Sequence, residues 1–223
     1  MLEIKNVHKT FNKGTINEKK ALNGVDLKLQ PGDFVTVIGG NGAGKSTMLN
    51  MIAGVYPIDQ GTILLDGKDI SDLPEYKRAY MLGRVFQDPM MGTAAGMEIQ
   101  ENMAMAYRRG KRRGLSWGIT KKEKKMFKEK LATLDLGLEE RMTSKVGLLS
   151  GGQRQALTLL MATLKKPSLL LLDEHTAALD PKTAKKVLDL TEKIVAKDNL
   201  TTLMVTHNMK AVSYTHLTLP TIA

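Results

Sequence analysis

The run Gly39-Gly40-Asn41-Gly42-Ala43-Gly44-Lys45-Ser46-Thr47 carries the pattern G-x-x-x-x-G-K-[ST]. Each residue type in it has a chemical reason. Glycines let successive backbone N–H groups converge on an anion that side chains would hold away. A helix starting at the lysine adds the partial positive charge of its N-terminus to the same spot. Lys45 can then reach the β- and γ-phosphates of a nucleotide, and the Ser46 hydroxyl can ligate Mg²⁺. The stretch predicts a phosphate-binding loop. Alone it leaves open what hydrolysis would serve.

Other residues could act on such a phosphate. The apolar run Leu169–Leu172 ends in Asp173-Glu174, two acids that are expensive to bury without a cation. Asp173 suits a Mg²⁺ partner, directly or through water, and Glu174 suits a general base that polarises water. Leu149-Ser150-Gly151-Gly152-Gln153 leads straight into a helical pattern, so it reads either as a second anion-binding helix end or as a cap with glycines. Gln87 closes an apolar stretch and could touch a metal or the attacking water; it could equally be a polar residue ending a strand. His207 follows another apolar run and could meet a γ-phosphate. Phe11, in a polar stretch, is either a lone exposed aromatic at a turn or a platform for a base. His8, His175 and His216 are given no role.

The elements that must position these groups can be read from periodicity. Phe34–Ile38, Leu2–Val7, Ala21–Leu29, Thr62–Leu65, Leu82–Phe86, Leu169–Leu172 and Thr201–Val205 read as strands. The all-apolar run at 169–172 predicts a parallel strand buried on both faces, with its acids at the C-terminal sheet edge where open α/β sheets place their sites. Met48–Ala53, Ile99–Tyr107, Thr120–Leu134, Arg154–Leu164 and Pro181–Ala196 read as helices, the last capped by Asp180. Asp66-Gly67 predicts a hairpin turn. Ser71-Asp72-Leu73-Pro74 predicts a helix cap with proline in the first turn. Strand signals nearly vanish from 90 to 164, which predicts a helical insertion between core strands.

Composition sets the bounds. The 223 residues are 42% apolar, enough for a proper core, and contain no cysteine, which excludes disulfides and thiolate metal sites. The charged N-terminus lacks a signal-peptide pattern, and the aliphatic runs are too short to span a bilayer. Net charge is +10, and residues 105–145 hold 13 Lys/Arg against 5 Asp/Glu. Only Tyr107, Trp117 and Phe127 accompany that charge. This favours a solvated or membrane-proximal face over stacking on nucleic-acid bases.

Taken together, Gly39–Thr47, Gln87, Leu149–Gln153, Leu169–Glu174, Ala178–Asp180 and His207 resemble the ATP-binding-cassette (ABC) ATPase family in order and spacing. The resemblance implies an α/β P-loop NTPase with an N-terminal antiparallel β layer, a mostly parallel core sheet and a helical subdomain at about 88–164. It implies ATP with Mg²⁺, bound between the phosphate loop of one copy and Ser150, Gly151, Gly152 and Gln153 of another in a head-to-tail homodimer or paired ATPase. Phe11 takes the place of the base-stacking aromatic, Gln87 that of the linking glutamine, Glu174 that of the catalytic base, Asp180 that of the dimer-contact loop and His207 that of the switch histidine. Lys45 is placed with the catalytic groups, and Ser46, Gln87 and Asp173 with the metal.

A separate ATPase chain is similar to the arrangement of bacterial importers. The implied partners are transmembrane permease subunits docked on the helical subdomain and a solute-binding protein, with the chain peripheral at the cytoplasmic face of the membrane. An amino-acid-like solute is the expectation, though none of these residues reads a substrate. The competing class is a soluble ABC-type ATPase acting on nucleic acid, the ribosome or cluster assembly, which only the basic stretch favours. Residues 1–211 are expected to be the ATPase domain. Residues 212–223 include Ser213-Tyr214-Thr215-His216-Leu217-Thr218-Leu219-Pro220-Thr221, which resembles an in-frame translation of a transposase sequencing adapter and is expected to be a non-native tail.

Overall fold

A computed structural model describes residues 1–110 and 118–207. The expected tail at 212–223, and part of the expected basic break after Tyr107, lie outside the described residues. The described residues form two compact units: 1–83 and 167–174 with 198–207, and 84–110 and 118–166 with 175–197. The first unit opens with β1 (Leu2–Phe11), β2 (Lys19–Leu29), β3 (Phe34–Ile38), α1 (Lys45–Ala53), β4 (Gln60–Leu65), β5 (Lys68–Asp69), α2 (Glu75–Arg78) and β6 (Leu82–Val85), the last running across the boundary. The second unit supplies α3 (Ile99–Tyr107), α4 (Lys121–Ala132) and α5 (Gly151–Thr163). The chain then passes through β7 (Leu169–Asp173), α6 (Pro181–Asp198) and β8 (Thr202–Thr206).

In the first unit, β2-β1-β4-β5 form an antiparallel sheet. Alternation explains it: Leu2, Ile4 and Val7 of β1 are buried, as are Leu22, Val25, Leu27 and Leu29 of β2. Asp66 and Gly67 both take positive φ, 50° and 76°, the signature of the tight turn that joins β4 to β5. β1 runs farther than its alternation suggests. Asn6, at φ 46°, lies where the register shifts, and pairing with β2 then continues to Phe11 opposite Lys19. Phe11 therefore ends a strand instead of sitting in a turn.

The second sheet has the order β3-β8-β7-β6, with β3–β8 and β8–β7 parallel. Leu169 to Leu172 are all fully buried, as a strand inside a parallel sheet requires. The helix expected after Ser71 begins later, with Pro74 as its cap residue. The Ser71 hydroxyl instead accepts a hydrogen bond from the Ile63 N–H, tying down the β5 turn.

Within the second unit, Ile99, Met103, Phe127, Leu131, Leu138, Val146 and Leu157 share one apolar core. The α4 start is fixed by a reciprocal cap: Thr120 Oγ1 accepts from the Glu123 N–H, and the Glu123 carboxylate accepts from the Thr120 N–H. Buried Asn102 on α3 exchanges two hydrogen bonds with the Ala94 backbone and so pins the preceding loop.

Candidate functional site

Strand register decides where the candidate residues go. Ile38 of β3 pairs with Thr206 of β8, and Val205 pairs with Asp173 of β7. The three strands therefore end level, and the Gly39–Thr47 loop, Asp173-Glu174 and His207 emerge from one sheet edge. The Glu174 N–H extends the ladder by donating to Val205 O at 3.0 Å.

The loop is built for close approach. Gly44 sits at φ 85°, and a Cβ there would lie 2.5 Å from Ala21 O and 2.8 Å from Leu22 Cδ2. No side chain caps α1, and no acid lies in its first turn. Its leading N–H groups are thus left for an anion. Lys45 is buried and folds back over its own loop, donating to Gly39 O at 2.8 Å and Gly40 O at 2.9 Å. Its Nζ lies 4.0 Å from Glu174 Oε1. The other carboxylate oxygen, Oε2, lies 2.9 Å from His207 Nδ1. Glu174 is thus held between Lys45 and His207, on a backbone at φ 43° that a non-glycine residue adopts only under constraint. The Ser46 hydroxyl donates to Asp173 Oδ1 at 3.4 Å.

Phe11 meets Tyr56 edge-on, with ring centroids 5.3 Å apart, and Lys9 Nζ lies 5.6 Å from the Phe11 centroid. Tyr56 belongs to no motif of the sequence. An aromatic two residues past the helix-ending Gly54 was the available signal.

The second unit gathers a different set. Ser150 caps α5: its Oγ accepts from the Gln153 N–H at 3.3 Å, and Gln153 Oε1 accepts from the Ser150 N–H at 3.1 Å. The helix starts at Gly151, three residues before the expected Arg154, because both glycines are taken into its first turn. A side chain at Gly152 would collide with Thr183, whose N–H donates to Asp180 Oδ1 at 3.1 Å. The Thr183 hydroxyl first, and then that backbone bond, hold the Asp180 carboxyl below the usual carboxylate range. Gly152 thereby lets the starts of α5 and α6 meet, bringing Ser150–Gln153 and Asp180 together. Gln87 is an exposed residue two positions past β6. Buried Gln155, also not singled out in sequence, donates to Phe86 O at 3.1 Å and anchors the residue before Gln87. His175 is fully buried against Thr191 at 3.2 Å, and burial pushes its pKa down to about 4.

A phosphate loop, a carboxylate pair and a histidine on one sheet edge describe a nucleotide-hydrolysing site. The chain matches the family described as ABC transporter over residues 22–177. It belongs to that family. The ABC ATPase is 45% identical over 210 residues to a tyrosine transport ATP-binding protein of Clostridioides difficile (strain R20291), covering 94% of this chain and 83% of the relative. It is 35% identical over 218 residues to a methionine import ATP-binding protein MetN of Clostridium acetobutylicum, covering 95% of this chain and 62% of that one. Among solved structures it is similar to the ATP-binding cassette MJ0796, a dimeric post-hydrolysis state bound to ADP and Pi. There the TM-score is 0.79 and identity 32%, with 95% of this chain and 90% of that chain covered. The chain is an ATP-binding, ATP-hydrolysing cassette with an α/β fold, and among the described residues no helix is long and apolar enough to cross a membrane.

Proposed function

We propose that this cassette energises import of an amino-acid-like solute, working as a head-to-tail pair on the cytoplasmic face of a membrane. The observation that carries the reading is the 45% identity, over nearly the whole chain, to a tyrosine transport subunit. In this reading ATP lays its base against Phe11, with Tyr56 backing the ring edge-on. Its phosphates take the α1 N-terminus and draw Lys45 away from the Gly39 and Gly40 carbonyls. Glu174, on its constrained backbone, accepts a proton from the water that attacks the γ-phosphorus, and ADP leaves with the electrons of the broken P–O bond. His207 holds the Glu174 carboxylate in place before attack. Ser46 and Asp173 offer a hydroxyl and a carboxylate oxygen, a donor set that suits a hard cation such as Mg²⁺, and those two residues would hold it. When bound, the cation would neutralise charge on the phosphates.

Catalysis here is positioning and electrostatics, and half of the positioning groups belong to the second copy. Ser150–Gln153 and Asp180 of that copy close over the γ-phosphate, so ATP draws the pair together and hydrolysis releases it. The permease docks on the helical unit, in a groove of about 370 Å³ lined by Met97, Glu98, Glu101, Met105, Arg108 and Lys124. Methionine suits a surface that must fit a partner helix. A solute-binding protein would deliver the substrate on the far side. Co-reconstitution with the permease encoded alongside, followed by uptake of labelled tyrosine and methionine, tests the reading. ATP-dependent accumulation is expected; an ATPase that the permease does not stimulate, with no accumulation, overturns it.

A further inference from the structure

Helix α4 carries six lysines, Lys121, Lys122, Lys124, Lys125, Lys128 and Lys130, every one exposed, against two acids. Glu123 is turned toward its own cap and toward Arg108, whose Nη2 lies 3.0 Å away, so Glu129 is the exposed acid. On the inner side Phe127 and Leu131 are fully buried, which fixes the rotation of the helix and keeps the lysines outward. Their spacing works against the helix. Lys121–Lys125 and Lys124–Lys128 are i,i+4 pairs of like charge, and Lys121–Lys124, Lys122–Lys125 and Lys125–Lys128 are i,i+3 pairs, each destabilising. An exposed helix stabilised by its own ion pairs alternates its signs, and this face does not. Lys128 meets Glu140 at 2.9 Å, both of them well exposed, and among the described residues that ion pair engages one of the six.

We propose that the lysine face of α4 rests on the anionic headgroups of the bilayer. This rests on the membrane reading above: Lys124 of this helix also lines the groove assigned to the permease, so a docked permease brings α4 near the headgroups. The chemistry suits a fluid anionic surface. All six residues are lysine, a hydrated point charge on a flexible stem, and none is arginine, whose fork selects fixed bidentate partners. Nucleic acid is the poorer fit, because Phe127 is fully buried and half-buried Tyr107 is packed edge-on against it at 6.0 Å with Lys165 Nζ 5.9 Å from its ring.

Sedimentation of the chain with phosphatidylcholine vesicles, with and without about one-third phosphatidylglycerol, tests this at about 0.1 M and about 0.5 M salt. Binding is expected only to the anionic vesicles and only at the lower salt. The triple variant K121Q/K122Q/K125Q should bind about tenfold more weakly or worse. K186Q/K193Q/K197Q, which removes the same charge from α6, should stay within about twofold of the parent. Far-UV circular dichroism and ATP binding confirm that both variants are folded. Equal binding to neutral vesicles, equal losses in the two triples, or tighter binding to an RNA or DNA duplex than to anionic vesicles each overturns the proposal. Capture of detergent-solubilised permease is measured apart. Its failure with vesicle binding intact removes the permease reading alone, and the converse removes the lipid contact alone.

Discussion

Glu174 has two neighbours that keep its carboxylate from wandering, Lys45 Nζ at 4.0 Å and His207 Nδ1 at 2.9 Å. Glutamine in its place keeps the shape and one acceptor oxygen but cannot take a proton from water. Glu174→Gln should therefore retain ATP binding while phosphate release falls by a factor of about 100 or more. A variant that releases phosphate at the parent rate would remove Glu174 from the base role. Lys45→Ala should instead lose nucleotide affinity, read by equilibrium binding of a fluorescent ATP analogue, because in the proposed reading the lysine contacts the phosphates before any chemistry. His175, the next residue, tests burial. Its native pKa is about 4 against 6.5 unperturbed, so the unfolded chain takes up a proton first as pH falls. Stability is then complete above about pH 6.5, declines by about 1.4 kcal/mol per pH unit below that, and levels off near pH 4, a loss of about 3 kcal/mol in all. Urea midpoints at pH 7.5 and pH 5 for the parent and His175→Gln check it, and the variant should show the shallower slope.

At the scale of elements, Arg78 makes the prediction. It is 2% exposed, and its guanidinium donates to Leu73 O, Met51 O, Ile52 O and Ser71 O at 2.6 to 3.1 Å. Two of those carbonyls end α1, the helix whose other end is the phosphate loop. Arg78→Met fills the space but leaves buried carbonyls without donors, and should cost about 3 kcal/mol or more in urea unfolding. Arg78→Lys should recover little of that, since one ammonium cannot span both groups. This residue also shows what a sequence withholds. Motif residues announced themselves through type and spacing: Gly44 needs a left-handed backbone, Asp173 ends a strand of four fully buried leucines with Glu174 just beyond it, and Ser150 reads as a cap. Arg78, Gln155 and Thr183 act through backbone carbonyls and close packing brought together by the fold, and nothing local marks them. The β1 extension to Phe11 was hidden for a similar reason, since a register shift at Asn6 breaks the alternation that would have revealed it.

For the whole molecule the question is what closes the site. In one chain Gly40 to Ala43 and Ser46 are exposed at the phosphate loop, and Ser150 and Gly151 are exposed at the start of α5. At α5 the cap takes up the Gln153 N–H, so an anion arriving there would meet the exposed helix start at Gly151 and the Ser150 hydroxyl once it turns outward. In the head-to-tail pair proposed above each loop would face the other copy's α5, and such a two-fold arrangement closes on itself. In that pair the attraction would be conditional, because without ATP two helix N-termini of like partial charge would face each other. Glu174→Gln should therefore elute from size exclusion as a dimer with ATP and as a monomer with ADP or without nucleotide. Adding Ser150→Arg, which puts a long cation where the phosphate must enter, should return it to monomer while leaving ATP affinity of the single chain within about twofold. A dimer that forms without nucleotide, or that survives Ser150→Arg, would place the contact elsewhere on the surface.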